Sequence, residues 1–344
     1  MDIDFSQKIL LVSELVGHDD RAWHVSWNPV KPLLATCSTD KSVRLYAYTT
    51  DPSPIFALHT SIPTGHSKTV RGIAWSPSGY SLATASFDAN IGIWQREEGD
   101  DEAEGEWECV SILEGHETEC KSVAWSASGI YLASCSRDKT VWVWEAHPDA
   151  DFECMGVLME HSQDVKCVAW HPIEEILASA SYDDTIKLYL DDPSEDWFCF
   201  ATLTGHASTV WSLAWAPNGR YLASASDDRT IRIWKRIAEH QWECVLVLEG
   251  HDRTVYSVTW GIGKSGETEK GGEPLGWIAS TGSDGRINVW ALEEPRDSTV
   301  RSPPKFTLIA RLEDAHGATT KGYEHLIATV GDDGIAKVWK LVST

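Results

Sequence analysis

Six histidines in this chain, His18, His66, His116, His161, His206 and His251, are each followed nine residues later by a tryptophan: Trp27, Trp75, Trp125, Trp170, Trp215 and Trp260. Such a recurrence restricts the chain to architectures built by copying one small unit, since every copy must bury the same side chains in the same way. Twenty-two residues after each of the first five histidines stands an aspartate, Asp40, Asp88, Asp138, Asp183 and Asp228. Asp284 and Asp333 fill the same place in two further copies of altered length, which makes seven copies. Six residues beyond each aspartate is an aromatic ring (Tyr46, Trp94, Trp144, Tyr189, Trp234, Trp290, Trp339), and four residues before it is a hydroxyl (Thr36, Thr84, Ser134, Ser179, Ser224, Ser280, Thr329). Most of the 18 tryptophans therefore occupy repeated structural positions.

The aspartates lie 45 to 56 residues apart, and each unit alternates apolar and polar residues as strands do, as in Thr230-Ile231-Arg232-Ile233-Trp234. In period and in these residues the chain resembles the WD40 proteins. That resemblance implies an all-β fold, a seven-bladed WD40 β-propeller, forming a single domain over residues 1–344. It also implies that the His, Ser/Thr, Asp and Trp of each unit form a hydrogen-bonded tetrad within one blade, which stiffens the blade only if every buried polar member is satisfied. Read as chemistry, the same residues mimic a hydrolase triad. Seven copies of one catalytic set on separate blades have no use, whereas seven copies of a brace do. Lys8 to Val16 reads as a strand with no partner in its own unit, so this N-terminal strand is expected to close the ring as the outer strand of blade seven. Blade seven is expected to be irregular: only 17 residues separate His316 from Asp333, and His325 stands where the strand tryptophan belongs. Its inner strand is expected to be missing, shortened or remodelled.

Charge narrows the partners. With 29 basic against 52 acidic residues the chain carries −23 formally, which repels nucleic-acid phosphates and anionic membrane surfaces, so neither is expected as a partner. The first residues are acidic where a secretory signal is basic, and no apolar stretch approaches the roughly 18 residues of a membrane span; a cytoplasmic location follows, with the nucleus as a second. Residues 97–106 hold seven carboxylates, and 191–196, 261–274 and 293–305 are also rich in charge, glycine or proline. These connections fall on one face, called the bottom, and read first as solvated loops and second as an acidic docking surface. Eight cysteines raise the question of a metal, yet Cys109, Cys154, Cys199 and Cys244 recur 45 residues apart and no C-x-x-C pair occurs. Repetition explains them, and buried reduced thiols with no metal and no cofactor are expected.

Function on such a ring lives on the top face, formed by the position four residues before each strand tryptophan and the position just before each tetrad aspartate. The first set is Trp23, Arg71, Lys121, Lys166, Trp211 and Tyr256; the second includes Phe87, Arg137 and Tyr182 along with Thr39, Asp227, Ser283 and Asp332. Arg71, Lys121, Arg137 and Lys166 thus cluster on blades two to four of an acidic chain, flanked by Phe87 and Tyr182 and facing Trp23, Trp211 and Tyr256. Arginine and aromatic rings are the residues enriched at interface hot spots, so this face suits an acidic peptide bearing a hydrophobic or aromatic side chain.

Longer strings go beyond the generic repeat. Leu132 to Glu145 (LASCSRDKTVWVWE), Glu160 to Pro172 (EHSQDVKCVAWHP), Ser181 to Tyr189 (SYDDTIKLY) and the outer-strand signatures Trp107-Glu-Cys-Val110 and Trp242-Glu-Cys-Val245 resemble the cytosolic iron–sulfur protein assembly WD40 proteins, the Cia or Ciao family, over roughly residues 15 to 340. The resemblance implies a non-enzymatic scaffold in the late maturation of extramitochondrial iron–sulfur proteins. Its implied partners are a small Cia-type adaptor, a HEAT-repeat scaffold, a hydrogenase-like Fe/S carrier and client apoproteins, with Arg137 matching the top-face arginine on which that family relies. A ubiquitin-ligase substrate receptor or a chromatin and histone-tail adaptor is the alternative, although a reader of basic tails would want carboxylates where this chain has cations.

Overall fold

The computed structural model describes residues 5–49, 54–96, 106–192, 196–262, 273–294, 303–315, 319–323 and 325–344. These residues form seven four-stranded antiparallel sheets and no helix. Blade one consists, from inner to outer strand, of Ala22–Trp27, Leu33–Ser38, Ser42–Thr49 and Ile55–Pro63, and blades two to six repeat that order. Blade seven is assembled from both ends of the chain. Its outer strand, Gln7–Leu15, pairs with Ala336–Ser343 in a register running from Gln7 opposite Ser343 to Leu15 opposite Ala336. The ring is therefore closed by hydrogen bonds between the first and last strands, which removes the open edge a linear array would present.

Burial follows strand position. The second strand of each blade lies between two neighbouring blades, so both its faces must be apolar or small, and Ser81–Ser86, Ile176–Ser181 and Tyr221–Ser226 are buried at every residue. Between blades one and two, Ala35, Cys37, Val43 and Leu45 pack against Val70, Ile73, Trp75 and Leu82. The strand tryptophans wedge into these seams and bond across them: the indole N–H of Trp75 donates to the Ser26 carbonyl at 3.2 Å, that of Trp170 to Ala124 at 3.0 Å and that of Trp215 to Ala169 at 3.1 Å. Each such ring buries on the order of 150–250 Å², about 4–6 kcal/mol of transfer free energy at 25 cal/mol per Å².

The His–Asp and His–hydroxyl bonds of the tetrads form as expected in blades one to six, and the aromatic member joins them in blades two to five, whereas in blade one the Tyr46 hydroxyl is buried without a hydrogen-bond partner among the described residues. In blade three, His116 Nδ1–H donates to Asp138 at 2.9 Å, Ser134 Oγ–H donates to His116 Nε2 at 2.9 Å, and Trp144 Nε1–H donates to Ser134 Oγ at 3.1 Å. The aspartate can only accept, which places the histidine proton on Nδ1 and leaves Nε2 to accept from the hydroxyl. Blade five matches this chain through His206, Asp228, Ser224 and Trp234, and blade two through His66, Asp88, Thr84 and Trp94. Each aspartate also caps its own turn, as when Asp138 accepts the backbone N–H of Glu117 and of Thr140.

Blade seven departs from the pattern as the sequence suggests. His316 lies outside the described residues, while Thr329 still accepts from Trp339 Nε1–H at 2.9 Å. The inner strand is present but shortened to the five residues Thr319–Tyr323. Trp277, from the second strand of blade six, fills the seam instead. A Cβ on Gly322 would sit 2.3 Å from its ring, and so would one on Gly261 on the opposite side. The glycines admit a ring from blade six close to where blade seven lacks one.

Cys37, Cys120 and Cys135 are buried as expected, and burial raises the Cys37 thiol pKa to about 12. Cys109 and Cys154, however, are exposed, and Cys199 and Cys244 half-buried, which corrects the expectation that all eight are buried. Each of these four sits opposite its tetrad aromatic at a β-bulge in the outer ladder, on the rim, where its Sγ–H donates to the carbonyl two residues on at 3.4–3.9 Å. The acidic connection 97–106 falls outside the described residues apart from Glu106, as do most of 261–274 and 293–305.

Candidate functional site

Because the inner strands of blades one to six start in the same register, the residue four positions before each strand tryptophan comes to the axis at one end of the bore. A cavity of about 330 Å³ opens there, lined by Arg21, Trp23, Arg71, Phe87, Lys121, Lys166, Trp211, Tyr256 and Asp332. Below it the bore continues as a space of about 380 Å³, bordered by Arg71, Lys121 and Lys166 and by the hydroxyls of Ser122, Ser212 and Ser257. Seven of the nine residues expected in the top-face site thus line one cavity. Arg137 and Tyr182 stand outside it: Arg137 is 58% exposed and turned to Glu119, and Tyr182 is exposed beside Lys166.

Cations and rings alternate around the mouth. The Arg71 guanidinium lies 4.9 Å from the Trp23 ring centre, with Arg21 at 5.0 Å from the same ring, and Trp23 stands 6.4 Å from Phe87. Lys121 Nζ is 4.1 Å from the centre of Phe87. Lys166 Nζ sits between Tyr182 and Trp211, at 5.3 and 5.1 Å, and Trp211 meets Tyr256 edge-on at 5.5 Å. Contacts of this kind contribute about 0.5–1 kcal/mol each when exposed and hold long side chains in place. Trp23 is fixed further by donating its indole N–H to Thr39 Oγ1 at 2.8 Å.

The molecule's own carboxylates offset only part of this charge. Asp164 pairs with Lys166 at 3.2 Å and Asp332 with Arg21 at 2.8 Å. Glu119 is shared, lying 3.2 Å from Arg137 and 4.0 Å from Lys121. Arg71 has no carboxylate partner among the described residues. Burial lowers the pKa of Lys121; Glu119 opposes the shift, and the charges of Lys166 and Arg71 add to it, so the three cations feel one another across the cavity. The indole N–H of Trp211 is buried without an acceptor among the described residues. The mouth is consequently rich in donors and poor in acceptors.

Arg21 escaped the sequence reading because it precedes the inner strand and belongs to neither repeated position; its only signal is its place two residues before Trp23. At the opposite end, Glu294 of blade six is buried against blade five, accepting from Arg220 at 2.7 Å, Lys235 at 3.1 Å and the Tyr221 hydroxyl at 3.0 Å. That cluster is a clamp between blades with every member satisfied. Among the described residues no group of three or more His, Cys, Asp and Glu side chains is placed to hold a metal ion.

Comparison with known proteins agrees with this architecture. The model of the WD domain, G-beta repeat, matches residues 10–47, 58–95, 107–145, 152–189, 197–235 and 242–291. The chain is similar to the probable cytosolic iron-sulfur protein assembly protein 1 of Mycosarcoma maydis, 48% identical over 138 residues that cover 30% of each chain. It is 42% identical over 107 residues to the probable cytosolic iron-sulfur protein assembly protein Ciao1 of Culex quinquefasciatus, covering 31% of this chain and 29% of the relative. Protein CIA1 of Arabidopsis thaliana is 41% identical over 114 residues, 31% and 30% of the two chains. The matched stretches span about 30% of the length of these curated relatives. Among solved structures, the WD40 β-propeller domain of Doa1 superposes with a TM-score of 0.70 over 96% of this chain and 97% of the other at 20% identity, a likeness of fold. With six matched repeats and seven blades in hand, the chain belongs to the WD-domain, G-beta repeat (WD40) family.

Proposed function

We propose that this chain is a non-enzymatic scaffold of cytosolic iron–sulfur protein assembly. It brings carrier, adaptor and client apoproteins together in the cytoplasm and nucleus, with its top face gripping acidic segments that carry an apolar or aromatic side chain. The observation that carries the reading is the cavity at the mouth, where Arg71, Lys121 and Lys166 converge among Trp23, Phe87, Trp211 and Tyr256 in a chain of net charge −23. Similarity to relatives named for cytosolic iron–sulfur protein assembly supports the choice of pathway. The proposed partners are a small Cia-type adaptor, a HEAT-repeat scaffold, a hydrogenase-like Fe/S carrier and client apoproteins. A propeller suits such a role because its rigid ring holds several surfaces at fixed angles while the mouth contributes the anchoring contacts.

Affinity purification of the tagged chain, followed by identification of the co-purifying proteins, tests the proposal. Iron–sulfur apoproteins and assembly factors among them support it. Ubiquitin-ligase subunits or histones in their place would transfer the chain to the alternative class.

A further inference from the structure

We propose that the anion gripped at the mouth is a phosphate group carried on a polypeptide, held by Arg71, Lys121 and Lys166. This rests on the reading of the mouth as a peptide-binding site and names the chemistry of its ligand. The three cations come from one register of three consecutive inner strands, so they approach the axis from three directions. A carboxylate offers two oxygens in one plane and a single charge, which one guanidinium satisfies. A phosphate monoester offers three acceptor oxygens arranged about a tetrahedral centre and nearly two charges. Charge balance leaves room for it: Lys166 is paired with Asp164 at 3.2 Å, but Lys121 shares Glu119 with Arg137, and Arg71 has no carboxylate partner among the described residues. The overall −23 does not forbid this, because charges more than about 8 Å apart in solvent are screened at physiological ionic strength, and an anion at the mouth meets the cations first. Trp23 and Phe87 to one side, and Tyr256 to the other, leave apolar surface for the residues that flank the phosphate.

Fluorescence anisotropy at fixed ionic strength tests this with three labelled nonapeptides of one Leu- and Trp-containing sequence. Their central residue is phosphoserine, aspartate or serine, and inorganic phosphate serves as competitor. We expect the phosphopeptide to bind at least about tenfold more tightly than the aspartate peptide, Arg71→Gln to abolish that preference, and inorganic phosphate to compete only at far higher concentration. Lys166→Gln, expected to reduce the preference in the same direction, replaces Arg71→Gln if the latter lowers the melting temperature. Equal or tighter binding of the aspartate peptide overturns the phosphate assignment and leaves the acidic-peptide reading standing. Failure of all three peptides overturns both. Inorganic phosphate binding as tightly as the phosphopeptide overturns the polypeptide part, since the site then takes a free anion.

Discussion

Asn28 in blade one and His171 in blade four make the same set of hydrogen bonds with different chemistry. Asn28 Oδ1 accepts the backbone N–H of Val30 and Lys31, and its Nδ2–H donates to the Gly79 carbonyl of blade two at 2.8 Å. His171 Nδ1 accepts from Ile173 and Glu174, and its Nε2–H donates to the Gly219 carbonyl of blade five at 2.9 Å. Both glycines have left-handed backbone, φ +69° and +71°, and a Cβ there would strike the partner ring or amide. One side chain thus ties its own turn to that of the next blade, but only the histidine can lose the bond pattern to a proton.

This predicts a pH dependence. Burial lowers the His171 pKa, while the Gly219 bond and Glu174 push it back in part. A histidine whose folded pKa lies below its unfolded value of about 6.5 favours folding most above that pH, and the stabilisation declines as pH falls toward the folded pKa. His171→Asn should fold and should lose less stability than the wild type between pH 7.5 and 5.5, as read from urea midpoints. Parallel decline in the two proteins would exclude the latch.

The tetrad aspartates act in the acid range. Burial opposes the charge of Asp284, yet the His251 bond and the backbone N–H groups of Asp252 and Arg286 outweigh it and hold the carboxyl near pKa 2. Its folded pKa being depressed, the contribution is present above about pH 4 and disappears as pH falls toward 2. Asp284→Asn should cost about 2–3 kcal/mol at neutral pH and far less at pH 2.5, checked by denaturant unfolding at both.

Removing the Glu294 carboxylate should strand Lys235, whose side chain is 6% exposed. Glu294→Ala is expected to cost about 3–5 kcal/mol, and adding Lys235→Met to return much of it, because the loss comes from an unpaired buried charge. A double-mutant cycle measures this; additive losses would show that the clamp is not coupled.

The seam between blades six and seven depends on Gly322. Gly322→Ala places a methyl group within the Trp277 ring and should destabilise the protein by about 1–3 kcal/mol. Thermal melting of the variant beside an exposed control substitution checks it.

The ring itself was legible because a propeller repeats its physics. Trp75, Trp170 and Trp215 meet the same seam in each blade, so their spacing encodes the fold, and the unpartnered run beginning at Lys8 encodes the closure. The mouth was legible for the same reason at strand positions such as Arg71 and Lys121. It was not legible where a loop decides the direction of a side chain, as when Glu119 draws Arg137 outward or Arg21 turns in to Asp332. Glu294 and its partners Arg220 and Lys235 lie 74 and 59 residues apart and are not spaced by one repeat, so nothing in the chain announces their meeting. The missing tryptophan at His325 was visible, whereas the entry of Trp277 from another blade required packing in three dimensions.

Charge reversal at the mouth tests the central claim most directly. Arg71→Glu places a carboxylate at a mouth cation that has no carboxylate partner among the described residues, and we predict that quantitative pull-down recovers client and carrier proteins at a tenth or less of the wild-type yield, about 1.4 kcal/mol or more of lost binding, with an unchanged melting curve. Undiminished recovery by a folded Arg71→Glu protein would show that partners are held elsewhere on the propeller.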